Sequence, residues 1–158
     1  MPITIKNVRA WLDAEEVDYA SAKKLGPAAI PFLMELVKGG DLGLASKATY
    51  LASLIKSKQS VAVLEAAATR NEPVLRVAAA SGIRNLSEAQ AERMLDLLRN
   101  DPDAGIRKVV LKSAVGFKSS RVAAKLKAMA ETDPEPFVRE LAASTVKKMK
   151  RKGKTVPE

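Results

Sequence analysis

Apolar positions recur along this chain in two ladders. Leu33, Leu64, Leu95 and Leu126 stand 31 residues apart, and Leu44, Leu75, Ile106 and Val138 follow in step at 31, 31 and 32. Two ladders in register mean that one structural unit is repeated, so a single irregular core is not expected. Within a unit the apolar spacing is helical. Ile30, Leu33, Leu36 and Val37 fall on one stripe, as do Val61, Leu64, Ala67 and Ala68, then Met94, Leu95 and Leu98, then Val122, Leu126, Met129 and Ala130.

Each stripe ends at a helix breaker: Gly39-Gly40-Asp41, Asn71-Glu72-Pro73, Asp101-Pro102-Asp103 and Asp133-Pro134-Glu135-Pro136. Such breaks stop one helix and offer a carboxylate to cap the next. Second helices are expected from about Leu42 to Lys56, through Leu86, through Phe117, and from Pro136 into the C-terminal basic run. Pro31 falls in a first turn, where a missing N–H costs little. Ser87 with Gln90 three residues on marks a capping box. A degenerate first unit precedes these, with Ile5, Val8 and Leu12 after a Thr4 cap and Val17, Ser21, Ala22 and Leu25 on a second stripe. The expectation is an all-α protein, an α-α superhelix of about five antiparallel helix pairs. Its units span about 4–25, 27–56, 60–86, 88–117 and 119–149 of one domain (1–150), and a basic flexible tail follows at 151–158.

The second helices share a finer pattern: a branched or large apolar residue, arginine, two spacers, two small residues and another apolar one. It stands as Leu75-Arg76-Val77-Ala78-Ala79-Ala80-Ser81-Gly82-Ile83 and as Val138-Arg139-Glu140-Leu141-Ala142-Ala143-Ser144-Thr145-Val146. Ile106-Arg107 keeps the start but carries Val110 and Leu111 at the small positions, and Leu44-Ala45 lacks the arginine. In this the chain resembles the HEAT-like repeat family, in its short form of about 31 residues associated with phycobilin-lyase-like proteins. The resemblance covers residues 14–150. It implies a scaffold whose second helices line a concave surface, and it says little about activity. Ankyrin and tetratricopeptide signatures are absent.

Composition narrows the chemistry. Six aromatic residues among 158 leave alanine and leucine to do the packing, which favours helix on helix. No stretch approaches the roughly 20 apolar residues that span a bilayer, and no secretory leader is visible. Zero cysteines suit a reducing, cytoplasmic setting. Without histidine or cysteine there is no Ser-His-acid triad, thiol nucleophile or histidine-ligated zinc. Asp41, Asp101, Asp103, Asp133 and Glu135 are explained as helix caps. Lys112 stands where a calcium loop starting at Asp101 would need its glutamate. No enzyme activity, cofactor or metal is expected, and Trp11 is read as a cover for the exposed end of the stack.

The net charge of +9 is mostly local, because residues 147–158 sum to +5 and leave +4 on the other 146. Two sets of positions stand out. Arg76, Arg107 and Arg139 recur in register and are read as a structural ladder bonding the acidic turns of neighbouring units, including Glu72, Asp103 and Glu135. Outward positions of the second helices turn basic toward the C-terminus. Tyr50, Arg84, Lys108, Lys112, Lys147 and Lys148 are the candidate partner-binding residues. The expected partner is another protein. Nucleic acid, held through the basic face and tail, is the alternative. A lyase-type accessory role, implied by the resemblance alone, comes third.

Overall fold

The computed structural model describes residues 2–153, and these form ten α-helices with no strand. They are α1 (Ile5–Leu12), α2 (Tyr19–Ala22), α3 (Ile30–Lys38), α4 (Leu42–Leu54), α5 (Ser60–Ala68), α6 (Pro73–Gly82), α7 (Glu88–Leu98), α8 (Ala104–Ala114), α9 (Ser120–Thr132) and α10 (Pro136–Gly153). Consecutive helices pair as hairpins, α3 with α4 through α9 with α10, and the hairpins stack sideways. Two layers result. In one, α3, α5, α7 and α9 touch in sequence; in the other, α4, α6, α8 and α10 do the same. This is the solenoid that the two ladders require. All eight ladder residues are buried, from 0% exposure at Leu33, Leu64, Leu95, Leu126, Leu75 and Val138 to 7% at Leu44.

Local sequence sets the ends of these helices. Thr4 and Ser87 form complete capping boxes with Asn7 and Gln90, and Asp41, Asp103 and Ser119 accept backbone N–H bonds at the starts of α4, α8 and α9. Small residues let the hairpins close. Ala48, Ala79, Ala80 and Ala114 are fully buried, and Gly82 sits so near α4 and α5 that an added Cβ would lie 2.9 Å from the Ser53 Cβ.

Four expected boundaries shift. The helices expected to reach Lys56, Leu86 and Phe117 end at Leu54, Gly82 and Ala114, the second continuing as a 3-10 turn over Ile83–Asn85. The second helix of the first unit is broken. Only Tyr19–Ala22 is α-helical, followed by 3-10 turns at Lys23–Leu25 and Pro27–Ala29. Gly26 between these turns has φ +74°, the left-handed region that ends helices, and Ala22 alone of the expected stripe is buried. At the other end α10 continues through Gly153, so the helix takes in the first part of the expected flexible tail; residues 154–158 lie outside the described residues.

Candidate interaction surface

Every turn between the two helices of a unit leaves carbonyls at a helix C-terminus without intrahelical partners, and a cation clasps each one. In the third, fourth and fifth units that cation is the ladder arginine. Arg76 Nη1 donates to the carbonyls of Arg70 (3.0 Å) and Asn71 (2.7 Å), and Arg107 Nη1 to that of Asp101 (2.8 Å). Arg139 Nη1 donates to the carbonyl of Asp133 (2.6 Å). The rest of the fork crosses to the next unit. Arg76 Nε donates to Asp101 Oδ2 at 2.9 Å, and Arg107 meets Asp133 in a two-point pair, Nε to Oδ2 at 2.8 Å and Nη2 to Oδ1 at 3.0 Å.

The ladder therefore exists with a different set of acids from those expected. Asp101 and Asp133 receive the arginines; Glu72, Asp103 and Glu135 do not. Asp103 caps α8, Glu72 holds Arg70, and Glu135 donates its backbone N–H to Asp133 Oδ1 at 3.0 Å. The reason is geometric. Asp101 and Asp133 stand first in their turns, facing the preceding unit at 6% exposure, while the acids two residues later are exposed at the helix starts. Arg139 belongs to the last unit, and no following turn supplies a carboxylate among the described residues.

Where Ala45 replaces the arginine, the clasp comes from elsewhere. Arg70, held by Glu72 at 3.0 Å, donates to the carbonyls of Val37 (2.8 Å) and Gly39 (3.3 Å) of the preceding turn. Lys47 does the same for the first turn, donating to Leu12 (3.1 Å) and Ala14 (2.9 Å). The missing arginine at position 45 was the available hint that another cation must serve these turns. The paired groups titrate accordingly. Burial pulls the Asp133 carboxyl upward, but the Arg107 and Glu135 hydrogen bonds and the arginine charges outweigh it, holding the group below its ordinary 3.8. Hydrogen bonding to Asp133 raises Arg107 further, and bonding to Arg70 lowers Glu72.

The two layers differ in how their charges are met. On α5, α7 and α9, Arg93 pairs with Glu65 (3.0 Å), Arg121 with Glu92 (2.9 Å) and Lys125 with Asp96 (2.7 Å), each from one helix to its neighbour. A cleft of about 300 Å³ between α7 and α9 is lined by Glu92, Arg121 and Lys125 of these pairs, with Arg99 and Ala124. The α4–α6–α8–α10 layer has one acid in its four helices, Glu140. Lys108, Lys112, Lys147 and Lys148 are exposed there and make no ion pair among the described residues. Arg84, in the 3-10 turn after α6, is also exposed. Its Nη2 donates to Ser113 Oγ of α8 at 3.2 Å and its Nε to the Ser81 carbonyl at 3.1 Å, which fixes the guanidinium over the α6–α8 seam. Tyr50 stands apart on α4, half-buried, with its ring edge-on to Tyr19 at 5.0 Å and 70°. Burial, with Tyr50 adding to it, raises the Tyr19 hydroxyl above its ordinary value. Arg84, Lys108, Lys112, Lys147 and Lys148 are thus exposed on the α4–α6–α8–α10 layer or in the turn after α6, and Tyr50 is half-buried on α4.

The same layer exposes Val74 (48%) and Val77 (36%) on α6, apolar surface that the charge pattern alone did not single out as a site. Trp11, expected to cover the N-terminal end, remains exposed on α1. No group of three or more metal-binding side chains occurs among the described residues, and none of their helices is long and apolar enough to cross a membrane.

Stacked antiparallel helix pairs with an arginine–aspartate rung between units define an α-helical repeat scaffold. The family of HEAT repeats matches residues 61–147, more than half of the sequence. The chain belongs to that family. A solved structure, the complex of CpcE and CpcF of phycocyanin lyase from Nostoc sp. PCC7120, contains a chain of similar fold. The TM-score is 0.68 at 21% identity, over 89% of this chain and 96% of that one. No curated protein matches this sequence.

Proposed function

We propose that this protein is a non-enzymatic HEAT-repeat scaffold that binds another protein through its concave helical face, the solvent-facing side of the α4–α6–α8–α10 layer. One observation carries the reading: the exposed lysines of this layer, Lys108, Lys112, Lys147 and Lys148, make no ion pair among the described residues, while Arg93, Arg121 and Lys125 of the opposite layer are each paired with an acid on a neighbouring helix. A layer whose exposed cations serve no internal pair is free to steer an acidic partner, and Arg84, Lys108, Lys112, Lys147 and Lys148 would do so. The similar fold of a protein solved as part of a two-protein complex agrees with a protein partner. The lack of histidine and cysteine, and of cysteine-dependent redox chemistry, supports a binding role in the cytoplasm.

Photo-crosslinking tests it. A crosslinker at position 112 should capture a defined protein that one at position 127, exposed on α9, does not; equal capture at both would end the proposal. The second reading, nucleic-acid binding, rests on the same basic face. It predicts affinity for labelled duplex or single-stranded DNA that falls steeply with salt. No binding at low salt would remove it. A lyase-type role requires a covalent product when the protein is incubated with a bilin and an acceptor protein, and we expect none.

A further inference from the structure

Resting on that reading, we infer that the partner contributes an extended segment that crosses the helices diagonally, an apolar residue over α6 and acidic residues over α8 and α10. The apolar seat is Val74 and Val77, exposed near the start of α6; by the 31-residue interval Val74 is level with Gly43 of α4 and Gly105 of α8, which carry no side chain, and Val77 with Ser46 and Lys108. The cations lie progressively farther along their helices. Lys112 is the ninth residue of α8, and Lys147 and Lys148 are the twelfth and thirteenth of α10, whereas Val77 is the fifth of α6. Glu140, the layer's one acid, is the fifth residue of α10 and repels a carboxylate from the straight path. The attractive route is therefore oblique, past Arg84 and Lys112 toward Lys147.

Helix geometry converts that route into a sequence spacing. Neighbouring axes are about 8–10 Å apart and each residue rises about 1.5 Å, so Val77 to Lys112 is a step of about 10–12 Å and Lys112 to Lys147 one of about 9–11 Å. An extended chain covers about 3.3–3.6 Å per residue, so the two acids belong about three and six residues beyond the apolar anchor. A helical ligand, rising only about 1.5 Å per residue, would instead need its acids about seven and fourteen residues beyond the anchor, so the spacing distinguishes the two conformations. Lys108 extends the basic strip toward the turn edge and receives the segment when the first acid comes earlier.

The test uses the full chain and fluorescent eleven-residue Gly/Ser peptides carrying one leucine and two glutamates, in both chain directions. With two exposed ion pairs of about 0.5 kcal/mol each, the peptide with glutamates three and six residues from leucine should bind about fivefold tighter at low salt than an isomer with all three contiguous. Lys112→Glu and Val77→Asp should each abolish that preference, and Lys127→Glu should leave it intact. No preference for the spaced isomer, or a preference that survives Lys112→Glu, overturns the inference. Its failure is distinguishable from that of the broader reading. Site-specific capture at position 112 without spacing preference removes only the segment, whereas absence of both removes the protein-binding face as well.

Discussion

Replacing Arg107 by leucine tests the structural ladder at its most buried rung. The side chains of Arg107 and Asp133 are 7% and 3% exposed, and the arginine makes two bonds to the carboxylate and two to turn carbonyls. Removing it strands a buried carboxylate that keeps only the Glu135 N–H, and leaves the Asp101 carbonyl without its donor. Losing one partner of such a pair costs about 3–5 kcal/mol, which for a chain of this length lowers the melting temperature by about 6–20 °C. Urea denaturation followed by circular dichroism at pH 7, with the slope checked for constancy, measures the loss. Arg93→Ala is the control, because its pair with Glu65 is open to water (62% and 30% exposed) and should contribute less than about 1 kcal/mol. Arg107→Leu with Asp133→Leu should recover part of the stability, since no charge is then stranded. A single-mutant loss below about 1 kcal/mol would refute the ladder as a structural device.

Three further outcomes follow from the same contacts. Asp133 is held below 3.8 in the fold, so its contribution is present above that value and lost as the pH falls through the folded one; acid titration of stability should be shallower in Arg107→Leu than in the parent. Gly82→Ala should destabilise by about 1–3 kcal/mol despite the better helix propensity of alanine, because the new Cβ meets Ser53 at 2.9 Å and Leu64 at 3.0 Å; a gain in urea midpoint would contradict the close approach. Lys47→Met, which removes the clasp on the first turn while keeping most of the stem, should cost about 1 kcal/mol and speed hydrogen exchange in α1 before the rest of the chain; uniform exchange would count against it.

The sequence made the architecture readable because burial repeats with the unit. Leu33 through Leu126 mark one layer and Leu44 through Val138 the other, and a residue that must be buried in every copy leaves a visible period. The first unit was less readable because its second helix holds so little of the core. With Ala22 alone fully buried, Gly26 and Pro27 decide the local backbone. For the ladder, the sequence identified the arginines and the turns of neighbouring units as their targets, and missed which acid of each turn receives them: the first residue, Asp101 or Asp133, in place of the one at the helix start. Arg70 and Lys47 carry no repeating signature. Their role appears only where the carbonyls they bind come close. The candidate face was legible as a gradient of lysines, and what remained hidden was which charges are already satisfied. Arg93 with Glu65 and Lys125 with Asp96 are 28 and 29 residues apart, a separation set by stacking.

The clasp at Ala45 shows that the fold requires a cation at each turn more than it requires one particular residue, and that claim can be tested by restoring the regular rung. The positions equivalent to Arg107 and Asp133 two units earlier are Ala45 and Arg70, by the 31- and 32-residue intervals of the ladders. Ala45→Arg alone would place two cations at one set of carbonyls. Arg70→Asp alone would remove the donor to Val37 and Gly39 and set a carboxylate beside Glu72. Each single change should therefore destabilise, by about 1–3 kcal/mol for a part-buried charged contact. Together they recreate the Arg76–Asp101 arrangement one unit earlier, so the double variant should be more stable than the sum of the singles predicts, with a coupling of about 1–2 kcal/mol. Strict additivity would mean that the turn carbonyls at 37 and 39 are satisfied without a cation, and the common role assigned to Lys47, Arg70, Arg76, Arg107 and Arg139 would be lost.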